Sequence, residues 1–96
     1  MLELRPNCEN CGEDLPPDSP KAVICSYECT YCDKCAQEIL KDVCPNCGGN
    51  FTPRPIRPKE ELIKNPASTK MILKPFDYKK HREMYKKYEG INPLER

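Results

Sequence analysis

Eight cysteines fall between positions 8 and 47, in the pattern C-x2-C-x13-C-x3-C-x2-C-x2-C-x8-C-x2-C. Thiolate is a soft ligand suited to zinc in a tetrahedral four-sulfur site, and eight thiolates with no other ligand at hand make two such sites. A lone C-x2-C says little. Three of these knuckles, at Cys8/Cys11, Cys32/Cys35 and Cys44/Cys47, with Cys25 and Cys29 between them, have metal spacing. Disulfides are the competing chemistry for a short cysteine-rich chain. The stretch MLELRPNCEN has no basic segment leading into an apolar one, so no secretory signal is read there. The expected compartment is therefore the cytoplasm, where thiols stay reduced and bind metal.

The ligands can pair in two ways. In the nested layout Cys25, Cys29, Cys32 and Cys35 share one ion, and the two outer knuckles meet on the other. In the interleaved layout Cys8, Cys11, Cys32 and Cys35 form site 1, and Cys25, Cys29, Cys44 and Cys47 form site 2. Interleaving closes longer loops with each metal and ties the small core between them, and it is the expected arrangement. The cofactor expected is Zn2+, two per chain.

These ligands need elements to hold them. Cys8-Glu9-Asn10-Cys11-Gly12 and Cys44-Pro45-Asn46-Cys47-Gly48 are near copies. Each reads as a tight turn whose backbone N–H groups point at sulfur, with a glycine free to take positive φ. Cys25 follows the β-prone Ala22-Val23-Ile24, which predicts a short hairpin. Cys32-Asp33-Lys34-Cys35 runs into AQEILK, which predicts a central helix with Ala36, Ile39 and Leu40 on one face. The fold class expected is a small, metal-stapled α+β module. With 38% hydrophobic residues and no tryptophan, the chain has little else to build a core from.

The division expected is 1–52 for the double-zinc module and 53–96 for a Pro-rich connector and basic helical tail. Every cysteine precedes residue 52, while six of the eleven prolines follow it. TPRPIRP, residues 52–58, reads as an extended connector, or else as an ordered strap on the module. Pro58 starts a short helix that must end near Asn65, before Pro66. A second helix is predicted over about 77–89, with Asp77 as N-cap and Gly90 just beyond its end. Tyr78, His81, Tyr85 and Tyr88 recur as one stripe with Met84 beside it, and Lys79, Lys80, Arg82, Lys86 and Lys87 fill much of the rest. His81, the only histidine, reads as part of the stripe rather than as a ligand.

Two full thiolate shells leave no open metal position for water and no spare nucleophile, so no enzymatic activity is expected. A formal charge of +1 hides a first half (1–50) at −5 and a second half (51–96) at +6. Two zinc ions on eight thiolates would deepen the first to about −9, so phosphate contact is excluded there and left to the tail. No apolar run nears the roughly 20 residues that cross a bilayer, so no membrane partner is expected. The opposite charges predict a tail folded back on the module or paired with a second copy, as monomer or homodimer. The function expected is structural zinc binding in protein–protein interaction. The alternatives are nucleic-acid binding through the aromatic basic tail, a ubiquitin-ligase-like role, and zinc or redox sensing, with Cys29 and Cys32 the crowded thiols for the last.

Over residues 8–47 the ligand order resembles a RING finger: a knuckle at both ends, a helix after the sixth ligand, Tyr31 just before the fifth, and a Cys-Pro-x-Cys finish. The resemblance implies a RING-like cross-brace, which is the interleaved pairing. Cys29 departs from it, standing where many RING fingers have histidine. Glu9, Asn10, Gln37, Glu38 and Gly48 also depart from the positions through which ubiquitin-ligase RING domains meet their partner, and only Pro45 agrees. A second resemblance covers about residues 1–70. MLELRPNCENCGEDLPPDSP, ICSYECTYC, CPNCGG, RPIRP and NPAST are similar to the bacterial family called domain of unknown function 1272. It implies a small cytoplasmic zinc-binding protein with no assigned activity, and leaves residues 71–96 as an extension.

Overall fold

The computed structural model describes residues 1–96. Its centre is a three-stranded antiparallel sheet in the order β2-β1-β3, made of β1 (Ala22–Ile24), β2 (Thr30–Cys32) and β3 (Thr52–Pro53). The β1–β2 hairpin pairs Ala22 with Cys32 and Ile24 with Thr30. β3 adds Thr52 opposite Ile24 and Pro53 opposite Val23. Proline lacks the ladder N–H and is tolerated there because β3 is an edge.

This register separates the cysteines of the hairpin. Cys25 and Cys29 bracket its turn, where the Cys25 N–H donates to the Cys29 carbonyl at 3.2 Å. Cys32 lies at the open end, opposite Ala22. At a rise of about 3.3 Å per residue, the two ends stand roughly 10 Å apart. One small sheet thus delivers half a ligand set to each of two places.

After β2 the chain makes a π-helical turn, Cys35–Ile39, closed by Leu40 N–H to Cys35 C=O at 2.8 Å. The sequence predicts a helix here, and its apolar face needs correction. Ala36 and Leu40 are buried, but Ile39 is 39% exposed. The i→i+5 turn is wider than an α-turn, so the 3.6-residue period that grouped Ile39 with Leu40 does not apply.

The core is thin. Thirteen apolar residues are buried, and six of them are cysteines. Leu4, Leu15, Tyr31, Leu40 and Val43 supply most of the rest. Each fully buried aliphatic side chain contributes about 1.5–3 kcal/mol, so the cysteine clusters and the core are largely the same object.

Residues 53–96 lie on this body as a strap. The segment contributes only two buried residues, Arg54 and His81. Arg54 donates to the carbonyls of Arg5 (2.9 Å), Leu15 (3.2 Å) and Pro16 (2.9 Å). Helix α1 (Lys59–Lys64) runs from Pro58 to Asn65, within the expected bounds. The strap then follows the N-terminal segment in the same direction: Ser68 N–H reaches Leu4 C=O, Asn7 Nδ2 reaches Ile72 C=O, and Lys74 N–H reaches Glu9 C=O. Helix α2 (Tyr78–Tyr88) begins at Asp77, whose carboxylate accepts from the N–H groups of Lys79 and Lys80. Its stripe docks through His81, Met84, Tyr85 and Tyr88, while Tyr78 is 69% exposed. Tyr78 sits in the first turn of α2, and only from His81 onward does the helix meet the body.

The tail folds back as the charges predict, yet not by ion pairing. The ion pairs are Arg5–Glu3 and Arg5–Glu9, both within the first nine residues. Hydrogen bonds to backbone carbonyls and aromatic contacts hold the strap, including Arg96 Nη1 on the carbonyls of Asp42 and Gly48 and Lys41 of the body over the Tyr85 ring.

Candidate metal centre

The first knuckle is a narrow loop closed by Cys8 N–H to Glu13 C=O at 2.8 Å and by Gly12 N–H to Cys8 C=O at 3.0 Å. The last knuckle repeats the turn, with Gly48 N–H to Cys44 C=O at 2.9 Å. Gly12 and Gly48 have φ of 81° and 75°, the left-handed conformation these knuckles need.

The sulfurs of Cys8, Cys11, Cys32 and Cys35 lie within 4.8 Å of one another, and so do those of Cys25, Cys44 and Cys47. Cys29 falls outside that mutual limit, but Asn46 of the last knuckle donates to its sulfur at 3.3 Å. Each cluster therefore takes one outer knuckle and one end of the hairpin. His81 joins neither.

Backbone and side-chain donors converge on the sulfurs. The N–H groups of Cys11, Tyr27, Cys35, Asn46 and Gly49 point at the sulfurs of Cys8, Cys25, Cys32, Cys44 and Cys47 at 3.3–3.5 Å. Asn10 Nδ2 donates to Cys35 Sγ at 3.4 Å, and Asn46 Nδ2 donates to Cys29 Sγ at 3.3 Å. Each knuckle asparagine thus reaches the opposite pair of its own cluster. Ser26 Oγ donates to Cys47 Sγ at 3.1 Å. The sequence reading passed over these three residues, although the repeated asparagine before Cys11 and Cys47 was a visible signal. It also passed over the structural use of Glu9. That buried carboxylate accepts from Arg5 Nη1 at 2.7 Å and from the Thr30 N–H, stitching the first knuckle to β2.

The donor set fits a tetrahedral metal. Four sulfurs held 2.3 Å from one zinc stand roughly 3.8 Å apart, and Cys11 and Cys32 Sγ are 3.8 Å apart. The sulfurs also cannot all ionise unaided. The neighbouring Cys25 and Cys44 thiols hold Cys29 down at about 2. The neighbouring Cys29 pushes Cys25 up to about 12, and the neighbouring Cys25 and Cys29 push Cys44 up as well. Burial pushes Cys32 and Cys35 up. Burial also pushes on Cys11, but the Glu13 N–H and the neighbouring thiols outweigh it and hold this thiol low. A cation at the centre of each cluster is what allows its sulfurs to ionise together.

Cys29 and Cys32, the crowded thiols of the sequence, are buried at 8% and 2% exposure. The exposed one is Cys11. Crowding along the chain here spans a hairpin turn and a covered strand, so it does not report solvent access.

Fold and clusters together define a small α+β protein with two cysteine clusters that can hold metal ions. The chain belongs to the family described as Protein of unknown function (DUF1272), whose model matches residues 1–57. An uncharacterized protein of Rhizobium meliloti (strain 1021) is 59% identical over 75 residues, which cover 78% of this chain and 89% of that protein. No solved structure matches the chain. No helix is long and apolar enough to cross a membrane.

Proposed function

We propose that the chain is a cross-braced double-zinc module that serves protein–protein interaction and has no catalysis of its own. Cys8, Cys11, Cys32 and Cys35 would hold one Zn2+; Cys25, Cys29, Cys44 and Cys47 would hold the other. The observation carrying this reading is the alternation of the clusters, each fed by one outer knuckle and one end of the same hairpin. Four thiolates complete a tetrahedral shell and leave no position for substrate or activated water. Such ions act as staples, which the thin core calls for. Exposed apolar side chains on the strap, among them Ile63, Met71, Leu73 and Tyr78, offer contact to a protein partner. Native mass spectrometry of the full chain tests the metal part: two zinc ions per chain are expected. Zero or one, with disulfide masses, would refute it.

One observation favours a second reading. Lys79, Lys80, Arg82, Lys86 and Lys87 are exposed on α2, and none is within ion-pair distance of a carboxylate. A nucleic-acid backbone would fit that row. Binding of a single-stranded oligonucleotide that weakens with salt and vanishes when these five are changed to glutamine would favour it.

A further inference from the structure

The two cysteine clusters are not equally covered. Cys11 is the one exposed cysteine. It lines a cleft of about 450 Å3 with Glu13, Cys32, Lys34, Cys35 and Ile39. Three members of the first cluster therefore border a single solvent-filled space, which no cysteine of the second cluster lines. Lys34 on its rim offers a cation to a small oxygen-rich molecule, and Ile39 offers an apolar wall. The second cluster is closed by comparison. Cys25, Cys29 and Cys44 are buried. Cys47 Sγ is half-buried and accepts from Ser26 Oγ at 3.1 Å and from the Gly49 N–H at 3.3 Å. Met84 and Tyr88 of α2 lie against the adjoining Gly48.

We infer that the first cluster is an oxidation site, at which Cys11 reacts with a small hydroperoxide entering the cleft and Cys32 closes a disulfide with it. The release of metal in this scheme rests on the double-zinc reading; the thiol chemistry belongs to the chain itself. The Cys11 thiolate attacks the terminal oxygen of the hydroperoxide. An S–O bond forms, the O–O bond breaks, and the leaving alkoxide takes a proton from solvent to become an alcohol, or water when the oxidant is hydrogen peroxide. Cys11 is then a sulfenic acid. The Cys32 thiolate attacks the Cys11 sulfur, the S–S bond forms, and the oxygen leaves as hydroxide, which takes a second proton to give water. Two electrons leave the two sulfurs and reduce one peroxide. The geometry is close to what the second step needs: the Cys11 and Cys32 sulfurs stand 3.8 Å apart and must close by about 1.8 Å to bond. With two ligands spent, the first centre can no longer hold a tetrahedral metal, whereas the second keeps its four.

The test is a hydrogen peroxide titration of full-length, metal-loaded protein, followed by native mass spectrometry and disulfide mapping. One metal per chain is expected to leave first, together with formation of a Cys11–Cys32 disulfide, while the second metal stays bound. Ile39→Trp narrows the cleft from its apolar wall without removing a ligand, and it should keep both metals yet slow the first loss. A first disulfide among Cys25, Cys29, Cys44 and Cys47 would overturn the inference. So would simultaneous loss of both metals, or an oxidation rate unchanged by Ile39→Trp. The metal count before peroxide judges the zinc reading separately. A metal-free chain that still formed Cys11–Cys32 first would sink that reading and uphold this one.

Discussion

His81 Nε2 lies 2.9 Å from the carbonyl oxygen of Leu40 and 3.1 Å from that of Val43. With the proton on Nε2, one ring N–H on α2 serves both buried acceptors just before Cys44. The ring also packs edge-on against Phe76 and stacks with Tyr85. The lone histidine is thus the pin that fastens the strap beside the second cluster. His81→Ala leaves the Val43 carbonyl without a donor, while the Leu40 carbonyl keeps only the Val43 N–H at 3.1 Å, at a cost of about 1–3 kcal/mol. Hydrogen exchange should show faster amide exchange over residues 74–96 than over the sheet, and the denaturation midpoint should fall. Unchanged protection of α2 would count against this role.

Gly48 carries two constraints at once. Its φ is 75°, and a Cβ there would stand 2.5 Å from Tyr88 Cε2 and 3.1 Å from Met84 Sδ. Gly12 has φ of 81°, but its Cβ would meet only Leu73 Cδ1, at an ordinary 3.6 Å. Gly12→Ala should therefore cost about 1–2 kcal/mol, the left-handed strain alone. Gly48→Ala should cost more and push α2 off the knuckle. Chemical denaturation of the two variants side by side checks the order, and equal losses would show that Tyr88 yields freely.

The contrast between these glycines shows what was legible in the chain. Both knuckles, the hairpin, Asp77 as a cap and the end of α2 before Gly90 follow from local chemistry, which neighbours in sequence express directly. Ile39 misled because a π-turn shifts which side chains share a face. Tyr78 misled because a continuous stripe does not say where docking begins. Arg54 reaches backbone carbonyls, and a carbonyl belongs to every residue, so no side-chain pattern announces it; the stripe put His81 on the docking face but could not name its two carbonyl partners. Asn10 and Asn46 were legible in principle, since two near-identical knuckles repeat the residue at the same place.

Those asparagines tune one centre each. Asn10 Nδ2 donates to Cys35 Sγ, while its Oδ1 accepts from the Phe76 N–H at 3.0 Å, so the strap aims this amide. Asn46 Nδ2 donates to Cys29 Sγ. Partners that orient metal ligands are typically worth about 10–100-fold in metal affinity. Asn10→Ala should weaken the first centre alone, and Asn46→Ala the second alone. Competition with a zinc chelator, read by native mass spectrometry, gives the affinity of each step. A variant that weakened both centres equally would point to general unfolding instead.

Arg54 is 3% exposed and has no carboxylate partner. Its guanidinium reaches the carbonyls of Arg5, Leu15 and Pro16, joining the N-terminal segment to the loop before β1. Arg54→Ala leaves the Arg5 and Leu15 carbonyls without a donor, while the Pro16 carbonyl keeps the Ser19 N–H, at about 1–3 kcal/mol for each orphaned acceptor that water does not reach. Arg54→Lys should recover only part of the loss, because a single ammonium cannot present the forked geometry to separated carbonyls. Full recovery by lysine in thermal unfolding would contradict this account.

Metal removal should dissolve the body rather than loosen it. Six of the thirteen buried apolar residues are cysteines, so stripping bound ions would leave protonated thiols that no longer tie the knuckles to the hairpin. A strong chelator should collapse the amide dispersion of residues 1–52 and free the strap, since Phe76, Met84 and Arg96 all hold on to knuckle atoms. Acid should act in the same direction. Metal bound at the clusters would hold the thiols ionised below their ordinary value of about 8.5, so the stability it gives would be present above that value and lost as pH falls and protons displace the ion. Near-UV circular dichroism during chelation and acid titration checks both, and rebinding of zinc at neutral pH should restore the signal. A metal-free chain with native dispersion at neutral pH would show that Leu4, Leu15, Leu40 and Val43 suffice for the fold.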